Sequence, residues 1–308
     1  MLYYGLQNLQ IYQTNLFVKD HKEEHLITFN RSAISIILGF CSLSIATPVL
    51  ASNYKGEALP QQTLSGFYLG GFGGYGALSD FQVRQSGVAM FSTTLNDAGI
   101  GSLTDPLAID AEGDSDSNSV GFGGLHFGYA WSIPAWNMTP AIELEGLYFS
   151  KTYDAFLDSS SIVLANHDFD DSFPTKAGVV LVNGIFQLDY FRLGMLHPYV
   201  GVGLGAAILS ISGAESPQVN PPEPNINHFN SDQNSSDWAF AAQAKLGFRF
   251  DLSEHWDIFA EYRFLYLGNT EFTFGSTSYP THVPTTSWKV DFDNMYMNSG
   301  VLGLEYKV

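Results

Sequence analysis

The chain has 308 residues, enough for one large domain or two small ones, of which 45% are apolar and only 14% charged. Its formal charge of −18, with 13 Lys and Arg against 31 Asp and Glu, excludes a nucleic-acid partner, because phosphate binding relies on Lys and Arg. No stretch reaches the roughly 18 uninterrupted apolar residues of a membrane-spanning helix, and 30 glycines beside 24 phenylalanines and 16 tyrosines disfavour helices and favour pleated structure.

Residues 1–51 read as an upstream extension plus an export signal. The run 33–46 (AISIILGFCSLSIA) has signal-peptide size, Arg31 precedes it, and Pro48-Val49-Leu50-Ala51 supplies small residues around a cleavage point expected after Ala51. The lone cysteine, Cys41, lies inside this run and has no intramolecular partner; the bulky Phe40 before it fits a lipoprotein signal poorly. Residues 52–65 read as a short periplasmic segment and 66–308 as the folded domain.

Eight stretches in that domain alternate or are rich in glycine and aromatics: 66–77, 118–131, 138–150, 176–190, 197–209, 237–252, 256–268 and 294–308. Each is long enough to cross a bilayer as a tilted strand, which takes about 9–11 residues. The gaps between them alternate long (78–117, 151–175, 210–236, 269–293) and short (132–137, 191–196, 253–255). Antiparallel neighbours put successive connections on opposite sides, so the pattern predicts an all-β fold: an eight-stranded antiparallel up-and-down transmembrane β-barrel. Its four long loops should be extracellular, and its short turns and both termini periplasmic.

Face assignments follow from the period of two. Trp238, Phe240, Ala242, Ala244, Leu246, Phe248, Phe250 and Leu252 form one apolar face to meet lipid, leaving Gln243, Lys245, Arg249 and Asp251 to point inward. The same alternation turns Ile142, Leu144, Ile258, Tyr262, Leu302 and Leu304 outward. The expected lumen set is Glu143, Glu145, Asp189, Lys245, Arg249, Asp251, Glu261, Arg263, Glu305 and Lys307. Trp131, Trp136, Trp238 and Trp256 fall near strand ends, where amphipathic rings can sit at a membrane interface.

Several segments resemble small outer-membrane barrels of the opacity-protein and surface-antigen type, a group also similar to the outer-membrane protein A barrel. They are Phe67-Tyr68-Leu69-Gly70-Gly71, Pro198-Tyr199-Val200-Gly201-Val202-Gly203-Leu204-Gly205, the hairpin 241–252 with 256–268, and the closing Gly303-Leu304-Glu305-Tyr306-Lys307-Val308. The resemblance spans about 66–308 and implies fold and location more than activity.

No compact catalytic signature appears, and no catalytic, cofactor-binding or metal-ligating residue is assigned. His126 should point inward, whereas His197 and His255 at short turns should be solvated. The acidic tract 110–118 invites a calcium reading, but from Asp114 the sixth position is Ser119 and the twelfth Leu125, not the Gly and Glu of an EF-hand. The long gaps carry formal charges of −6, −4, −3 and −2, and with Pro217, Pro221, Pro222 and Pro224 they suit flexible, solvated recognition loops.

The expected role is therefore a non-enzymatic surface protein, displaying acidic loops for envelope integrity or for contact with host or environmental ligands. The alternatives are a narrow porin-like channel and a barrel enzyme that modifies lipid A. Expected partners are outer-membrane lipid and lipopolysaccharide, and periplasmic chaperones and the barrel-assembly machinery during insertion.

Overall fold

The computed structural model describes residues 65–90, 106–116, 119–159, 167–191, 193–280 and 282–308. The expected export signal, the cleavage point after Ala51, Cys41 and residues 52–64 lie outside them.

Among the described residues the strands are, in chain order, β1 (Gly66–Leu78), β2 (Gln82–Ala89), β3 (Leu107–Asp114), β4 (Ser119–Ala130), β5 (Met138–Ser159), β6 (Asp168–Leu188), β7 (Leu196–Ser212), β8 (Gln218–Asn220), β9 (Asn234–Asp251), β10 (Trp256–Leu267), β11 (Thr270–Ser276), β12 (Ser287–Phe292) and β13 (Met295–Lys307). Strand β1 pairs with both β4 and β13. The ladder then runs β4 to β5, β6, β7, β9, β10 and back to β13, antiparallel throughout. The ring is closed by the eight strands expected from the sequence, and closure leaves no barrel edge to aggregate.

Inside and outside alternate as the period of two requires. Leu125, Phe127, Ile142, Leu144, Val180, Val182, Val202, Leu204, Phe240, Leu246 and Leu302 are exposed on the outer wall. From Phe240 to Phe250 the chain rises about 33 Å, which at a strand tilt of roughly 40° makes a belt about 25 Å tall, the height of a bilayer's hydrocarbon. Towards the long connections the outward positions turn polar at Ser150, Lys176, Ser210 and Ser236, which marks one rim of the belt. Trp136, Trp238 and Trp256 are exposed near strand ends, in girdle positions.

The glycine-aromatic composition has a packing cause on the inner wall. In the β1/β4 register Tyr68 faces Gly128, Gly70 faces His126, Phe72 faces Gly124 and Gly74 faces Phe122. A Cβ at Gly70 would overlap the His126 ring, and one at Gly128 the Tyr68 ring. Each large ring lies across the strand from a residue with no side chain.

In their described residues the four long connections depart from the flexible loops expected of them. Strands β5 and β6 stay paired from Ser150↔Lys176 to Asp158↔Asp168, beyond the apolar belt. Within 78–117 and 269–293, β2 pairs with β3 and β11 with β12, with β12 also on β2 and β3 on β5. The resulting cap has its own core. Phe292 packs on Phe272, Phe81 and Phe173 at ring-centroid distances of 5.0, 5.1 and 5.1 Å, and Phe229 stacks on Phe274 at 4.6 Å. Each buried Phe stabilises by roughly 1.5–3 kcal/mol, enough to order a hairpin that composition alone marks as polar.

Two further differences concern charge. Asp110, Glu112 and Asp114 project from one exposed face of β3, successive members about 6–7 Å apart along the strand, and Arg84 Nε lies 3.5 Å from Glu112 Oε2. That arrangement is a solvated strand face and gives no wrapped calcium loop; residues 117 and 118 of the tract lie outside the described residues. Asp171, on the cap side of Lys176, is fully buried, and neither carboxylate oxygen makes a well-formed hydrogen bond. Burial pushes its carboxyl well above the usual carboxylate range, opposed only in part by the Ser216 hydroxyl nearby.

Candidate functional site

Nine of the ten expected lumen residues form ion pairs inside the barrel, in three groups: Glu143, Glu145, Lys245, Glu261 and Arg263; Arg249 and Glu305; and Asp251 with Lys307. Lys245 on β9 reaches across to β5, with Nζ 2.8 Å from Glu143 Oε1 and also in contact with Glu145. Arg263 on β10 donates from Nη1 to Glu145 Oε1 at 2.6 Å and from Nε to Glu261 Oε1 at 3.0 Å. Arg249 Nη2 bonds Glu305 Oε2 at 3.0 Å. Lys307 Nζ lies 3.2 Å from Asp251 Oδ1 and 2.8 Å from Asp257 Oδ2. Asp189 stands apart at the short-turn end, where it accepts from Thr139 Oγ1 and Gln187 Nε2 at 2.8 and 2.9 Å.

Neutral groups complete the network. Tyr199 donates to Glu261 Oε2 at 2.7 Å, Asn183 to Glu143 Oε1 at 2.9 Å and to Glu145 Oε2 at 3.1 Å, and Gln243 to Asn183 Oδ1 at 2.6 Å. Aromatic faces cover the cations, with Arg263 4.5 Å from the Phe72 centroid and Arg249 5.2 Å from that of Tyr199. The space left among His126, Glu143, Tyr199, Lys245, Arg249, Phe259, Glu261 and Glu305 is about 10 Å³ for the centre of a water, room for about one molecule. At this level the barrel is a plug of paired charges.

His126 faces inward as expected, its Nε2 3.3 Å from Glu305 and its Nδ1 3.8 Å from Glu143. The rings of Tyr68, Phe72 and Phe259 enclose it at 5.8, 6.1 and 5.4 Å, so it helps to fill the plug. His197 corrects the sequence reading. It is buried rather than solvated, because β7 begins at Leu196 and turns His197 inward, where Nε2 meets Asp251 Oδ2 at 2.9 Å. His255 is solvated as expected and stacks on Tyr306.

Sequence reasoning missed Asp257, Asn183 and Tyr199. The last two follow from the alternation once the faces are fixed, but Asp257 follows the exposed Trp256 and looks like part of a turn until the register places it inside. Beyond the belt, Glu223, His228 and His282 bring ligand atoms within 4.8 Å of one another. They come from two separate connections, and no spacing motif announces them.

No family model matches the chain, and no curated protein matches it. Among solved structures it is similar to Neisserial surface protein A, at 13% identity over 79% of this chain and 98% of that one, with a TM-score of 0.33. It is similar also to the outer membrane protein OprG from Pseudomonas aeruginosa, at 16% identity over 79% and 96% with a TM-score of 0.37. A third is the outer membrane protease OmpT from Escherichia coli, at 10% identity over 80% and 99% with a TM-score of 0.39. Likenesses this distant carry no activity across; the closed ring stands on its own strand pairing.

Proposed function

We propose that this chain is a bacterial outer-membrane protein that acts at the cell surface without catalysis, a sealed barrel holding an ordered cap outside the membrane. The observation that carries this reading is the lumen. Paired Glu143, Glu145, Lys245, Glu261 and Arg263, with Arg249 on Glu305, cross its middle, and the space among them holds about one water. That filling disfavours the narrow channel, and the enclosure of His126 disfavours lipid-A chemistry inside the barrel.

The outer wall meets lipid and lipopolysaccharide, and the cap presents acidic strand faces such as Asp110, Glu112 and Asp114 to host or environmental ligands. In this orientation the short turns and both chain ends are periplasmic. The chain arrives through a signal cleaved after Ala51 and engages periplasmic chaperones and the barrel-assembly machinery on the way. Planar-bilayer recording on a folded, heat-modifiable preparation tests the seal: no unitary current above background is expected, and a stable ion-selective current overturns it. Protease added to intact cells should cut on the cap side only. Cuts confined to the short turns would reverse the topology.

A further inference from the structure

We infer that Glu223, His228 and His282 form a binding site for one divalent transition-metal ion, of the zinc class, that ties two connections of the cap together. His228 lies between β8 and β9, Glu223 five positions before it, and His282 between β11 and β12. The site is independent of the sealed-lumen reading, since none of the three residues belongs to the lumen.

The hydrogen bonds at the far side of each ring fix its tautomer. His228 Nδ1 is 2.7 Å from the Ser216 carbonyl oxygen, and His282 Nδ1 is 2.6 Å from the Val283 carbonyl oxygen. A carbonyl oxygen only accepts, so each Nδ1 carries the hydrogen and each neutral ring keeps a lone pair on Nε2. Both lone pairs are aimed at the same carboxylate oxygen: Glu223 Oε2 lies 3.6 Å from His228 Nε2 and 3.0 Å from His282 Nε2. With both rings neutral, three acceptors converge with no donor among them, and a cation is needed there: either a proton on one ring or a metal ion shared by all three.

The separations suit a small ion. Ligand atoms held about 2.0–2.1 Å from a tetrahedral zinc stand about 3.3 Å apart, between the two distances observed. Two imidazoles and one carboxylate favour zinc or its first-row neighbours over calcium and magnesium, which take oxygen donors. Backbone carbonyls behind both rings supply the outer shell that orients metal-bound histidines. His228 is held from the sides by Phe169 and Trp288, at ring-centroid distances of 5.2 and 5.8 Å. The side chains of Glu223 and His282 keep 31% and 18% exposure, which leaves an approach for the ion and a position for a water.

The test is zinc binding to the untagged, outer-membrane-extracted chain, stripped with a chelator and titrated in competition with a chromophoric chelator. The heat-modifiable wild-type chain should take one zinc, and X-ray absorption should give two imidazole nitrogens and a carboxylate oxygen as its protein ligands. His282→Ala and Glu223→Gln, both at partly exposed positions, should each weaken binding at least tenfold, while His255→Ala leaves it unchanged. If one of the two variants fails to become heat-modifiable, the other decides. Wild-type affinity in a folded variant, or no zinc retained by the folded wild-type chain, overturns the proposal.

Discussion

Replacing Arg263 by methionine removes a fully buried guanidinium from the middle of the lumen network while keeping much of its apolar stem. Glu145 would keep Lys245 and Asn183 as partners, and Glu261 would keep the Tyr199 hydroxyl, so neither acid is stripped bare, but three charge-assisted bonds, one to Glu145 and two to Glu261, and a contact with the Phe72 ring disappear together. Breaking a buried pair by removing one partner typically costs about 3–5 kcal/mol. With a urea slope of about 2–3 kcal/mol per molar, the unfolding midpoint in detergent should fall by roughly 1–2 M. The assay is equilibrium unfolding followed by tryptophan fluorescence and by loss of the heat-modifiable gel band. Glu145→Gln combined with Arg263→Met should be less damaging than the sum of the single changes, because the two groups are direct partners and the double variant also removes the buried charge that lost its guanidinium. An Arg263→Met midpoint within about 0.3 M of wild type, or strict additivity, would refute the account, since it would mean the charges are hydrated and the lumen is not sealed.

Three further outcomes follow from other parts of the molecule. Asp171→Asn should stabilise the chain near neutral pH: the folded carboxyl titrates above its unfolded value of about 3.9, so its contribution is intact below pH ~4 and declines as pH rises through the folded pKa. A variant whose advantage grows on acidification would contradict that sign. Phe292→Ala should cost the cap roughly 3–5 kcal/mol and open it to limited proteolysis while the barrel keeps its heat-modifiable band; unchanged protease resistance would mean that the cap has no cooperative core. Gly128→Ala should lower refolding yield by forcing the Tyr68 ring aside, a strain of about 1–3 kcal/mol, and adding Tyr68→Leu should restore part of the yield; a full yield from the single variant would show that the ring has other room.

The barrel wall was legible because membrane and lumen impose opposite chemistries on alternate residues. Trp238 to Leu252 shows this in sequence, and Glu143, Glu145, Lys245, Arg263 and Glu305 fall inside as the alternation demands. The cap was misread for a reason visible in β11 and β12. Phe272 and Phe274, like Trp288, Val290 and Phe292, do alternate with polar residues, but the runs are short and set among Pro, Ser and Thr, so composition outweighed period. His197 was misjudged because the expected turn and the first residues of β7 adjoin, and a shift of one position reverses a side chain. Glu223, His228 and His282 could not be paired in advance, since their meeting depends on where two connections cross.

The ring-and-glycine pairing between β1 and β4 also specifies how these strands align during assembly. Alternation of polar and apolar residues tells a strand which side is which, yet it is blind to a slide of two positions, which returns every side chain to the same face. Tyr68, Gly70, Phe72 and Gly74 opposite Gly128, His126, Gly124 and Phe122 form a pattern with a period of four. Sliding by two would set Tyr68 against His126 and Phe72 against Phe122, and leave Gly70 facing Gly124 across an unfilled gap. The misaligned ladder would be crowded and hollow at alternate rungs, so the glycines carry alignment information that hydrophobicity alone lacks.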